Sequence, residues 1–375
     1  MSVSLEQIVV ICSAAVDDRS GGGMRIVVDH LEDAPKPLKV ISLHLWERPS
    51  DEVHSLDSVD FIRLESGQGA AALPRLVGAT RKILRAFSPA TTRVLSLPTS
   101  PADVVMSWAA TTTYLPVDVW FMDDFISALG NTSRIKQAAS AWFYAQLYRR
   151  CDRRIVIGDA MREEYGRRYG RPAELTMGKA WKRADIERAH ALRRQRPPPA
   201  EGEPVRLVWA GSWLPYYAEP LQTLARLLRH RPELPVVLDL YGLWPPPAEA
   251  LADDKIRYCG SFEDAELPDI LAGYDYGLLC YSSDPATVDF MRFSFPGKLA
   301  DYFCAGLPVA AIVPDGIKMR RELEQSERHV VAASLDETNV AEWVGKLHAA
   351  RSQLVCHSEA FRFVREDNVR KLLVF

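Results

Sequence analysis

The residues best placed to do chemistry lie in Phe293-Ser294-Phe295-Pro296-Gly297-Lys298-Leu299-Ala300-Asp301-Tyr302. Proline suits the first turn of a helix, where the amide it lacks would go unpaired, and Gly306-Leu307-Pro308 closes the helix before an apolar strand. Free amides and the positive end of the helix dipole then sit beside Gly297 and Lys298. A glycine that admits close approach and a lysine that brings charge make an anion site suited to phosphate. The competing reading is an ordinary helix–strand connection with a surface lysine. A second candidate is the carboxylate pair Asp123-Asp124 after the apolar run Val117 to Met122, placed to meet a ligand or to cap the next helix. A third is Gly21-Gly22-Gly23, which follows the first apolar run and can bring backbone amides to a ligand or simply form a flexible turn. Further glycines stand at the ends of apolar runs in Gly211-Ser212-Trp213, Tyr241-Gly242 and Gly260-Ser261-Phe262. Tyr281 ends another such run.

These groups need elements to hold them. Short apolar runs at Gln7 to Cys12, Leu38 to Leu43, Asp60 to Leu64, Arg93 to Leu97, Val117 to Met122 and Arg154 to Ile157 alternate with helical patterns. Strands alternating with helices imply a parallel sheet covered on both faces, with ligands gathering at the carboxyl ends of the strands. Ala184 to Pro204 changes character: Arg193-Arg194-Gln195-Arg196 runs into Pro197-Pro198-Pro199, which reads as a linker. A second series follows, with strands at Val205 to Ala210, Val236 to Tyr241, Ile256 to Cys259 and Tyr276 to Tyr281. The expected division is residues 1–190, a linker at 191–204, residues 205–350, and a closing helical segment at 351–375.

Composition narrows the function classes. The chain has 375 residues, enough for two cores, and its net charge is 46 − 49 = −3, so no global field recruits nucleic acid. The six cysteines form no CxxC pair, which fits reduced thiols in a cytoplasmic protein and speaks against a zinc or disulfide framework. No basic segment followed by an apolar one opens the chain, so no signal peptide is expected. Ser133 to Arg154 mixes aromatic and basic residues. It is expected to pack on its own sheet, with contact to an anionic inner membrane face as the alternative.

The ordered set Trp209-Ala-Gly-Ser212, Tyr241-Gly242, Gly260-Ser-Phe262, Tyr274 to Leu279, Ser294 to Tyr302 and Ala305 to Val309 resembles the carboxyl-terminal half of GT-B-fold glycosyltransferases of the family 4 type. The resemblance covers roughly residues 204 to 350. It implies an α/β chain of two doubly wound Rossmann-like domains facing across a cleft. It also implies a cofactor-free, metal-independent and retaining enzyme that moves a sugar from a nucleoside-diphosphate sugar to an acceptor hydroxyl on a glycan, lipid-linked or small-molecule acceptor. Under it the phosphates fall to Lys298, Gly297 and the Gly211-Ser212 loop. Asp301 stands where the family has a ribose-binding glutamate, Gly260-Ser261-Phe262 line the base, and Trp213 covers the phosphates or sugar. Tyr241, Gly242, Tyr281, Ser294, Phe295 and Pro296 complete the donor side. Asp123 and Asp124 join Lys298 as catalytic candidates, and Gly21 to Gly23 serve the acceptor or a phosphate. Two departures stand out. Phe293 occupies the family's usual acidic position, and Gly211 to Tyr217 lacks the usual basic pair. A sugar-nucleotide epimerase of the same fold and a non-catalytic scaffold that binds a partner are the alternatives.

Overall fold

The computed structural model describes residues 5–16, 23–34, 38–45, 56, 59–65, 72–124, 126, 134–211, 214–243, 245–246, 255–351 and 358–373. The chain forms two compact units, Met1–Gly178 with Arg365–Phe375, and Lys179–Val364.

The first unit is built on seven parallel strands: β1 Gln7–Ile11, β2 Lys39–His44, β3 Val59–Arg63, β4 Thr92–Ser96, β5 Val117–Phe121, β6 Arg153–Val156 and β7 Leu175–Thr176. Their order is β3-β2-β1-β4-β5-β6-β7. The central strands are apolar because helices cover both faces, and β5 is buried at every residue. Asp118, at 1% exposure, ties the sheet together, accepting from Arg93 of β4 at 2.7 Å and from Arg153 of β6 at 2.5 Å.

The second unit repeats the design with β8 Val205–Ala210, β9 Val236–Tyr241, β10 Ile256–Gly260, β11 Tyr276–Cys280, β12 Val309–Ile312 and β13 Val330–Ala332. The order β10-β9-β8-β11-β12-β13 reverses direction between β8 and β11, the switch point of a doubly wound sheet. The two doubly wound sheets are those expected from sequence. β7 and β13, of two and three residues, are too short to leave a run.

The units divide at Gly178/Lys179, ahead of the expected linker. The reason lies in helix Arg183–Gln195, which belongs to the second unit: Arg193 donates to the Tyr274 carbonyl at 2.9 Å, and His190 meets the Cys304 carbonyl at 3.1 Å. The proline-rich stretch that follows is equally fixed there, through Arg196 on Asp275 at 2.9 Å and Arg351 on the Glu203 carbonyl at 2.8 Å. At the far end, Ser358–Phe363 stays with the second unit, Phe363 stacking on Phe295 at 5.5 Å. Helix Arg365–Leu373 returns to the first, where Asn368 meets His30 at 3.4 Å and Arg365 reaches Asp33 at 3.3 Å.

Cys12, Cys151, Cys280 and Cys304 are buried free thiols, as expected of core cysteines, whereas Cys259 is exposed. Among the described residues no helix is long and apolar enough to cross a membrane.

Candidate functional site

Helix Gly297–Cys304 carries Lys298. Pro296 is its N-cap, one position earlier than sequence reasoning placed it, and its carbonyl accepts from Leu299 at 3.0 Å. The helix lies on β11 because Gly277 leaves room for the Tyr302 ring: a Cβ there would stand 2.4 Å from it. The Tyr302 hydroxyl donates to the Leu278 carbonyl at 3.0 Å, pinning the helix to the sheet. Gly306 closes the turn in the left-handed region at φ 66°.

This brings the Lys298 side chain to the switch point. Its ammonium lies 3.9 Å from the Trp209 ring centroid and 3.8 Å from that of Tyr217, held between two aromatic faces. Gly211 ends β8 at φ 144°, and a Cβ there would meet Lys298 Cε at 3.1 Å and Nζ at 3.2 Å. The glycine is therefore needed twice, for its conformation and for the lysine's passage. Among the described residues the ammonium makes no ion pair. Burial pushes its pKa down, to about 7, with Lys179 acting in the same direction and Asp301 against it. The two ring faces favour the cation.

Asp301, one turn on, is 4% exposed and both oxygens are engaged: Lys179 Nζ donates at 2.9 Å and Trp181 Nε1 at 2.8 Å. Its carboxylate thus anchors the first residues of the second unit to the helix. Sequence reasoning missed Lys179 and Trp181, since more than a hundred positions separate them from Asp301 and no motif links them.

The other strand ends gather as expected. The Gly211 amide donates to the Tyr241 carbonyl at 2.9 Å, and that of Gly242 to the Gly260 carbonyl at 2.9 Å. Tyr241 packs edge-on to Phe262 at 6.3 Å, Ser261 is exposed, and Gly260 sits at φ 89°. Tyr281 is buried against Tyr217 at 5.3 Å, so it backs the aromatic pocket from below. Ser294 and Phe295 are buried at the helix approach. Ser212 and Trp213 lie outside the described residues, as do Gly21 and Gly22. Two carboxylates that precede Phe293 in the chain are occupied locally: Asp284 caps helix Pro285–Met291 by accepting from the Thr287 amide, and Asp289 pairs with Arg292.

In the first unit, Gly23 opens helix Gly23–Glu32, and a Cβ there would stand 2.4 Å from Met122 Sδ, so close packing on the end of β5 requires the glycine. Asp124 is 1% exposed and held by Arg168 at 3.1 Å and by the Tyr165 hydroxyl at 3.1 Å. Asp123 is different. It is exposed at its surface, and desolvation, then the Asp124 carboxylate, push its pKa up to about 6. Of the pair, Asp123 is the one open to a proton-transfer or hydrogen-bonding role.

Residues 216–358 match the family model for the glucosyltransferase 3-like C-terminal domain. The chain superposes on sucrose-phosphate synthase from Thermosynechococcus elongatus with a TM-score of 0.62 at 13% identity, covering 98% of this chain and 95% of that one. It superposes on Anabaena HepE, solved with UDP and glucose, with a TM-score of 0.62 at 12% identity over 98% of each chain. A UDP-N-acetylglucosamine 2-epimerase is also similar, with a TM-score of 0.55 at 12% identity, covering 98% and 94%. The comparison with curated protein sequences finds no match. The chain has the GT-B fold of these solved structures, and within its second unit residues 216–358 are similar to the glucosyltransferase 3-like C-terminal domain.

Proposed function

We propose that the protein transfers a sugar from a nucleoside-diphosphate sugar to an acceptor hydroxyl, without a metal and with retention at the anomeric carbon. The observation that carries this reading is the Lys298 ammonium, lodged at the β8/β11 switch point beside Gly211 and making no ion pair among the described residues. Breaking the bond between anomeric carbon and phosphate builds negative charge on the diphosphate, and a fixed cation beside free helix amides is suited to receive it. HepE, holding UDP and glucose, supports a nucleoside diphosphate as the ligand. Arg292 is paired with Asp289 and Lys179 with Asp301, whereas Lys298 makes no ion pair among the described residues. Tyr241, Gly260, Ser261 and Phe262 are assigned to the base, and Asp123 to the transferred sugar or the acceptor hydroxyl. Asp301 acts by fixing the helix through Lys179 and Trp181.

Lys298→Ala tests the assignment. It is expected to remove roughly 2–4 kcal/mol of transition-state stabilisation with the circular dichroism spectrum intact. Unchanged turnover of a donor that the wild-type protein uses would overturn it.

The likeness to a UDP-N-acetylglucosamine 2-epimerase supports a second reading, in which the same diphosphate grip serves isomerisation of the sugar. Incubation with donor alone separates the two: an epimerised nucleotide sugar supports the second, and a requirement for acceptor supports transfer.

A further inference from the structure

The first unit has a helical face whose composition neither its core nor the proposed reaction uses. Helices Ala72–Leu84, Pro101–Ala110 and Arg134–Arg150 connect β3 to β4, β4 to β5 and β5 to β6. These crossovers step across the parallel sheet in one direction, and right-handed connections place all three helices on one side of it. Side chains join them there. Trp108 meets Phe143 edge-on at 5.3 Å, and Arg81, which donates to Thr112 at 2.7 Å, lies 5.6 Å from the Trp108 ring.

Helix Arg134–Arg150 is apolar on two sides. Tyr144, Leu147 and Tyr148 fill the core at 0% exposure, which accounts for one side. Ile135 and Trp142, seven residues apart and so on one stripe, point the other way at 83% and 53% exposure. Leu73 of helix Ala72–Leu84 and Tyr114, in the turn after Pro101–Ala110, are further exposed apolar side chains at 45% and 55%.

The exposed charge carried by these three helices and the residue after the first of them has one sign. Arg75, Lys82, Arg85, Arg134, Arg149 and Arg150 are all exposed, and none of them makes an ion pair among the described residues. The three helices contain a single acidic residue, Asp103, at 0% exposure and hydrogen-bonded to Ser13 at 2.7 Å. The next helix on this side, Asp159–Tyr169, which meets Arg134–Arg150 through Tyr144 and Tyr165, carries exposed Asp159 and Glu163, so the exclusion of acidic groups is a property of these three helices.

We propose that this face seats the protein on an anionic lipid surface, with Ile135 and Trp142 entering the interfacial region and the six cations meeting headgroup phosphates. A soluble acidic polymer would answer the cations but leave Ile135 and Trp142 in water. A neutral apolar partner would answer those two and leave the cations desolvated. A lipid interface accommodates both at once, since tryptophan favours the boundary layer and arginine the charged headgroups.

The test is co-sedimentation of the full chain with phosphatidylcholine vesicles, with and without phosphatidylglycerol, at low and high salt. Binding is expected only with phosphatidylglycerol and is expected to weaken with salt. The exposed double variant Arg149→Glu/Arg150→Glu is expected to lose at least about tenfold in partitioning, and Trp142→Ser to lose severalfold, with melting curves unchanged. Equal binding to both vesicle types, no binding, or wild-type binding by either variant overturns the proposal. Retention on polyglutamate as strong as on vesicles and indifferent to Trp142→Ser would assign the face to an acidic polymer instead. None of these variants touches Lys298, so the outcome is independent of the reaction assigned above.

Discussion

At the scale of single residues, the chemistry of Lys298 depends on its being a cation that is costly to keep. Burial lowers its pKa towards about 7 from the ordinary 10.5, so the unfolded chain binds more protons than the folded one across that window. The contribution to stability therefore rises as pH rises from about 7 to about 10.5, while the ability to hold a diphosphate falls over the same range. Binding of a nucleoside diphosphate is expected to take up a proton in mildly alkaline solution. Calorimetry in buffers of different ionisation enthalpy checks this, and no buffer dependence would mean that Lys298 is fully charged in the free protein. Gly211→Ala probes the same group without altering it. The added methyl would meet Cε and Nζ and would occupy a positive φ, displacing the ammonium at a cost of about 1–3 kcal/mol. Nucleotide affinity is expected to drop with Lys298 still present, as fluorescence titration would report.

At the scale of elements, helix Gly297–Cys304 is positioned by a glycine on the strand beneath it. Gly277→Ala puts a Cβ 2.4 Å from the Tyr302 ring and is expected to destabilise the second unit by about 1–3 kcal/mol, or more if the helix must lift. Denaturant melts would measure it, and donor affinity should fall in parallel because Lys298 rides on that helix. Much of this arrangement was legible in sequence. Gly297-Lys298 announces a helix start, and glycines closing successive apolar runs announce strand ends, because both signals are local. The aromatic pocket was not. Trp209 ends a strand and Tyr217 lies in the next helix, and only the path of Lys298 between them reveals their role. Asp301 was legible as a polar group in the right place, but its engagement by Lys179 and Trp181 is a long-range fact. The linker was misplaced for a similar reason: proline and charge identify an irregular stretch, not which core holds it.

At the scale of the molecule, two sheets of seven and six parallel strands repeat one plan, and the chain crosses between the units twice. The second crossing delivers Asn368, Val369 and Leu372, all buried, to the first unit. Removal of residues 365–375 is expected to lower the melting temperature of the first unit while leaving nucleotide binding by the second intact, a difference that calorimetry with and without UDP would resolve. His30, beneath this helix, is held neutral by burial with its pKa lowered to about 4, so the fold loses stability as pH falls from about 6.5 towards that value. The returning helix also bears on biosynthesis. The leading half of the polypeptide leaves the ribosome first but is completed after the trailing unit, since its helix Arg365–Leu373 follows the whole of that unit in the chain. The trailing unit, a single uninterrupted stretch, can close before it. Ribosome-bound chains halted just short of Arg365 should therefore hold a protease-resistant core from the trailing half while the leading half is still cut readily.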